Sequence, residues 1–196
     1  MKNFLAMLHE MDCADMAQYS VANHHVNGLD YLCLHRSEKL TIKLYLMEKP
    51  ENPNSGFLVN PHSHRYSFWS ACLVGTLQHV RFAEDLTKAD WMRMRYAPET
   101  RSGICDAYIG LTSKVERIHE GDHYFVTSDE IHTLKMYPGS GPLLLGLVQF
   151  SDVKEKSELY LPTEGRPTPE YPHSWTPTLI HTQALRDRCI DLLEAA

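Results

Sequence analysis

His62-Ser63-His64 places two imidazoles two residues apart. On an extended strand, side chains two apart point to one face, so this pair can share a metal ion. With 12 histidines among 196 residues, such a triplet arises by chance about 0.7 times, so it carries little weight alone. The surrounding spacing carries more. Gly56 is followed by five residues and then His62, Gly75 closes the stretch after the pair, and Gly121 is followed by ten residues and then His132. The plain alternative for His132 is a core histidine bonded to backbone. If His62 and His64 face inward, alternation turns Tyr66, Phe68 and Cys72 inward with them. Tyr66 is either a hydrogen-bond donor to a bound ligand or an aromatic core filler. His79 and Arg81 share one face of the next strand, opposite Gln78, Val80 and Phe82, and Lys43 and Tyr45 share a face of an earlier one. These cations can receive an acidic substrate, or stand solvated on a strand. Gln149, polar within an apolar strand, faces a pocket or a buried partner. His24, His25, His119 and His123 read as exposed loop residues.

The elements that must position these groups read as follows. Met1 to about Ala22 reads as one helix, with Phe4, Leu5, Leu8 and Met11 at helical spacing. Leu40–Met47 alternates as a strand, and residues 49–56 form a proline-rich loop. Phe57–Phe82 is a long β stretch broken at Gly75. Asp90–Arg95 reads as a short helical turn, with strands at 107–111, 114–119, 123–126, 132–137 and 142–150. A proline-rich tail runs from Leu161 to Pro177, and a last helix spans about Leu179 to Ala195. Strands do not alternate with 10–15-residue helices, which disfavours a parallel α/β sheet. An antiparallel sandwich or barrel with terminal helices is the expectation.

The paired spacings resemble the two motifs of the cupin superfamily over about Arg36 to Phe150. The resemblance implies an all-β fold: an antiparallel cupin barrel (a double-stranded β-helix, or jelly-roll) with N- and C-terminal helices. It implies a single domain over 1–196, with a helical segment to 27, a β-barrel core over 28–150, and a tail and helix over 151–196. It also implies that His62, His64 and His132 hold a metal. The family's glutamate ligand would fall at Phe68 or Trp69, which cannot bind one. In the second motif Thr127, Asp129 and Met136 replace the usual proline, glycine and asparagine. A three-histidine set is similar to the thiol dioxygenases, which use Fe(II) to oxidise a thiol carboxylate. Imidazole alone also suits zinc and nickel, and Zn, Ni or Mn stay open beside Fe(II). Three neutral ligands leave open positions for substrate and dioxygen. By the same resemblance Arg36 grips the substrate carboxylate. Tyr66 orients the bound species, and Phe68, His79, Arg81 and Gln149 line the pocket. The subfamily's serine–histidine–tyrosine relay is replaced by Leu145, Leu147 and Gln149.

Composition sets the outer limits. Nineteen basic against 25 acidic residues give a net charge of −6, which argues against non-specific nucleic-acid binding. No apolar run reaches about 18 residues, so no membrane span is expected. The N-terminal apolar run is short and turns acidic at Glu10, which favours a cytoplasmic location over secretion. Five cysteines without a CxxC pair read as reduced thiols. No P-loop, GxGxxG, GxSxG or HExxH occurs. The expected partners are a small-molecule substrate and dioxygen; the resemblance implies a homodimer through sheet edges, unless the terminal helices cover those edges instead. The functional expectation is a metal-dependent cupin dioxygenase. The alternatives are a non-oxidative lyase or isomerase, and a non-catalytic small-ligand-binding cupin.

Overall fold

Alternation of apolar and polar residues builds ten strands in a computed structural model that describes residues 2–48, 58–97, 102–137, 140–163 and 174–196. They are β1 (Leu29–Arg36), β2 (Leu40–Met47), β3 (Phe68–Val74), β4 (Thr76–Asp85) and β5 (Trp91–Ala97), then β6 (Ser102–His119), β7 (His123–Val126), β8 (Ile131–Met136), β9 (Leu143–Phe150) and β10 (Ser157–Pro162). Two five-stranded sheets form, ordered β1-β2-β9-β3-β7 and β10-β5-β6-β4-β8, with every pairing antiparallel. They curl toward each other as a jelly-roll barrel, the fold expected from the sequence.

The two faces of the first sheet have different duties. Ile42, Leu44 and Leu46 of β2 and Leu144 of β9 pack on Leu8, Met16, Leu185, Cys189 and Leu192 of the helices. Each fully buried leucine there contributes about 1.5–3 kcal/mol. The opposite parity (Tyr45, Leu143, Leu145, Leu147, Phe68 and Cys72) turns into the barrel with Leu77, Ile118 and Tyr124. Register places three rows across this inner face: Thr41–Gln149–Phe68, Cys33–Lys43–Leu147–Ser70 and Tyr31–Tyr45–Leu145–Cys72.

Several sequence expectations are corrected. The N-terminal helix is two, α1 (Lys2–Glu10) and α2 (Cys13–Tyr19). Asp12 is extended, and its carboxylate accepts from the Ala14 N–H at 2.7 Å, so it caps a new helix instead of continuing the first. The turn read at Asp90–Arg95 is strand β5, held between β6 and β10. The strands read at 107–111 and 114–119 are parts of one 18-residue strand, β6. The tail contributes β10, so the sheets extend past residue 150. The long stretch at 57–82 becomes β3 and β4 only from Phe68 onward. Gly75 breaks it with φ +93°, and a Cβ there would meet the Pro142 carbonyl oxygen at 2.7 Å. Gly56, Phe57 and most of the proline-rich tail lie outside the described residues. The last helix, α3 (Leu179–Ala195), begins at an N-cap, Thr178, and matches expectation. All five cysteines are free, and Cys33, Cys72 and Cys189 are buried. No helix among the described residues is long and apolar enough to cross a membrane.

Candidate metal centre

His62 and His64 precede β3 instead of lying on it. Their segment is extended but pairs only through isolated bridges, to His132 and Leu159. Pro61 brings no N–H, but its carbonyl accepts from the Tyr160 N–H at 2.9 Å, and the Leu58 N–H donates to the Leu134 carbonyl at 2.8 Å. The backbone of His62 exchanges both hydrogen bonds with His132, at 3.0 and 2.9 Å. This bridge joins the two motifs, 70 positions apart in sequence. His132 enters from β8 on the same inner face as Arg81 of β4.

The ring nitrogens of His62, His64 and His132 offer three donors within 4.8 Å of one another. Their hydrogen bonds select which nitrogens are available. The Nδ1 of His62 lies 2.9 Å from the Asn60 carbonyl and donates to it, which leaves Nε2 as a lone pair. His132 Nδ1 lies 3.0 Å from His79 Nε2, and His132 Nε2 lies 2.8 Å from His64 Nε2. Burial lowers the proton affinity of all three rings, and their mutual repulsion lowers it further for His64 and His132. Neutral imidazoles, with the far nitrogens of His62 and His132 already engaged, are what a divalent ion requires, so the donor set fits one. Phe68 stands edge-on to His64 at 4.9 Å, where the cupin glutamate would fall.

His79 is fully buried behind His132, and does not line a substrate pocket as the sequence suggested. Its ring lies 4.4 Å from that of Tyr124, and its Nε2 is 3.9 Å from Glu130. Burial, and then the Arg81 charge, pull it down to about 3. Arg81 is likewise committed elsewhere. It pairs with Glu130 at 2.5 Å and donates to the Phe125 carbonyl. Arg36 is exposed over the Tyr19 ring at 5.1 Å and touches none of the three histidines. A bulge between Cys33 and His35 sets it at the end of β1. Tyr66 is brought in, with its ring 5.4 Å from that of His64. Gln149 takes its register place on the inner face between Thr41 and Phe68.

Two features escaped sequence reasoning. His24 and His25 were expected in an exposed loop. His25 is exposed, but its ring lies 6.4 Å from that of His62, and half-buried His24 packs on Tyr31 at 5.0 Å and Tyr45 at 5.8 Å. Left-handed backbone at Asn23 and His25 folds this turn back, and Asn23 accepts from the Gly28 N–H. The second is the setting of Lys43, which the sequence offered as an acid-binding or solvated cation: it is buried to 9% exposure, and its ammonium lies 4.8 Å from the Tyr31 ring and 5.9 Å from the Tyr66 ring. Burial pulls the amine down to about 8 and raises the Tyr31, Tyr45 and Tyr66 phenols, Tyr66 to about 12. These phenols stay protonated at neutral pH and can donate.

Acid is expected to weaken the fold through His79. Its folded affinity for protons is depressed, so its stabilising effect is complete above about pH 6.5 and is lost as pH falls toward 3. At pH 5 the loss from this one ring is about 2 kcal/mol. Urea midpoints of chelator-treated protein at pH 7.5 and pH 5 measure it, and equal midpoints would contradict it.

No family profile matches the sequence. No curated protein matches it either. Solved structures do resemble its form. Hydroxypropylphosphonic acid epoxidase from S. wedmorenis is 16% identical with a TM-score of 0.43, over 69% of this chain and 57% of that one. The DMSP lyase DddQ from Ruegeria pomeroyi DSS-3 is 16% identical at 0.43, over 71% and 55%. The polyketide cyclase RemF from Streptomyces resistomycificus is 12% identical at 0.42, over 69% and 74%. This chain spans less than two thirds of the length of the epoxidase and of the lyase. At these scores the likeness assigns no chemistry to it.

Proposed function

We propose that the protein is a metal-dependent cupin oxidoreductase, a non-haem Fe(II) dioxygenase acting on a small anionic substrate such as a thiol carboxylate. One observation carries this reading: three neutral imidazoles converge within 4.8 Å, and no carboxylate joins their group among the described residues. A ligand set without charge leaves a bound cation its full positive charge, so an anionic substrate can complete the shell. Iron(II), when bound, supplies open positions at which substrate and dioxygen meet.

The chain's own residues do the rest. His62, His64 and His132 are the proposed ligands; Asn60 holds the tautomer of His62, and His79 is the partner of His132 Nδ1. Phe68 and Tyr66 flank His64 and keep bulk water from that side. Tyr66, kept protonated by burial, donates a hydrogen bond that orients the substrate atom nearest His64.

The test is elemental analysis of untagged protein purified without chelator, followed by oxygen uptake across thiol and enol acids. Near-stoichiometric iron with substrate-dependent uptake is the expected result. Background uptake by iron-loaded protein across the whole panel would overturn the dioxygenase assignment. Zinc, nickel or manganese at full occupancy with anaerobic turnover would replace it with Lewis-acid lyase or isomerase chemistry.

A further inference from the structure

The inner face of β1 and β2 carries polar head groups that lack a polar partner among the described residues. Lys43 is the buried cation of this face. No carboxylate pairs with it among the described residues, and its contacts are the faces of two aromatic rings. An unpaired ammonium in such a position is costly, and a cation–π contact offsets only part of that cost. The hydroxyls of Tyr31, Tyr45 and Tyr66 also lack a hydrogen-bond partner among the described residues. Among the described residues, the occluded side-chain atoms without a hydrogen-bond partner are His79 Nδ1, Glu130 Oε1 and His181 Nε2. The Lys43 and tyrosine head groups are not among them, so they open onto space. That space adjoins the histidines, because the Tyr66 ring that flanks Lys43 is 5.4 Å from His64.

We propose that Lys43, with the hydroxyls of the flanking Tyr31 and Tyr66, receives the carboxylate of the small ligand that binds beside His62, His64 and His132. The inference rests on the function proposed above for what sits at the histidines, and takes over the role that the sequence gave to Arg36. A single charge favours a carboxylate over a phosphate dianion. The next cation on the inner face, Arg81, is already neutralised by Glu130, and Arg36 lies over Tyr19.

The test compares two thiols of equal size, 3-mercaptopropionate and its uncharged amide, by calorimetry on cobalt(II)-loaded protein without oxygen. The native chain is expected to prefer the carboxylate by about tenfold or more, as hydrogen bonds to a charged group allow. Lys43→Met keeps the apolar stem, and should erase that preference while leaving the amide's affinity unchanged. Lys43→Arg should retain part of it. The Met variant is expected to melt at or above the native temperature, because it removes a lone buried charge. A preference that survives in Lys43→Met, or is absent from the native chain, overturns the proposal. Failure of the metal reading shows separately, as a chain that holds no cobalt. Propionate against propionamide on chelator-treated protein then decides Lys43 alone, with loss of the preference in Lys43→Met supporting the proposal and its persistence overturning it.

Discussion

His132→Ala is expected to reduce bound metal from near one per chain to background and to abolish oxygen uptake. Loss of an outer partner of a ligating histidine already costs about 10–100-fold in metal affinity, and loss of the ligand itself should exceed that. The same change strikes the fold. His132 is 4% exposed, bridges backbone to His62 and bonds His79 through its ring. Its removal leaves a cavity and an unpaired His79 nitrogen, together worth about 2–4 kcal/mol. His62→Ala separates the two effects. It removes a donor but leaves the His132–His79 bond in place, so metal should vanish with a smaller change in melting temperature. His119→Ala, at an exposed position on the far end of β6, should keep its metal. Full metal occupancy in both His132→Ala and His62→Ala would contradict the ligand set.

The parts of this site legible in sequence were those fixed by local spacing. The HxH pair and the distance from Gly121 to His132 singled out the three histidines that converge in the structure, and the alternation of Lys43 and Tyr45 places both on one face. What was not legible depends on register and on paired absences. His79 reaches His132 because β4 and β8 pair with His79 opposite Leu134, one step along the inner face from His132. Nothing in the order of residues sets that register. Arg36 has the right distance from His62, but the bulge after Cys33 carries it to an exposed position over Tyr19. Asp90–Arg95 misled for another reason. Trp91, Met92 and Met94 put apolar side chains on both parities, so period two was hidden until β6 and β10 flanked the segment. His24 and His25 are carried back to the barrel by two left-handed residues, a conformation that sequence signals weakly outside glycine.

His79 itself makes the second large prediction. It is a positioning residue that acts through His132. When His132 Nε2 is a metal ligand, its proton sits on Nδ1, and His79 Nε2 must accept it across 3.0 Å. His79 then carries its own proton on Nδ1, an atom with no partner among the described residues. Without metal the opposite arrangement is available, with His132 Nε2 donating to His64 across 2.8 Å and His79 Nε2 donating to His132. Metal loading is therefore expected to exchange the tautomers of both His132 and His79, which nitrogen-15 shifts of labelled histidine read directly. His79→Leu keeps most of the volume but removes the acceptor, so metal affinity should fall about 10–100-fold. Stability should change little, since the orphaned His79 Nδ1 leaves with the ring while the buried His132 Nδ1 loses its partner. A purely packing role for His79 predicts the reverse: stability falls while metal affinity and the His132 tautomer stay as they were.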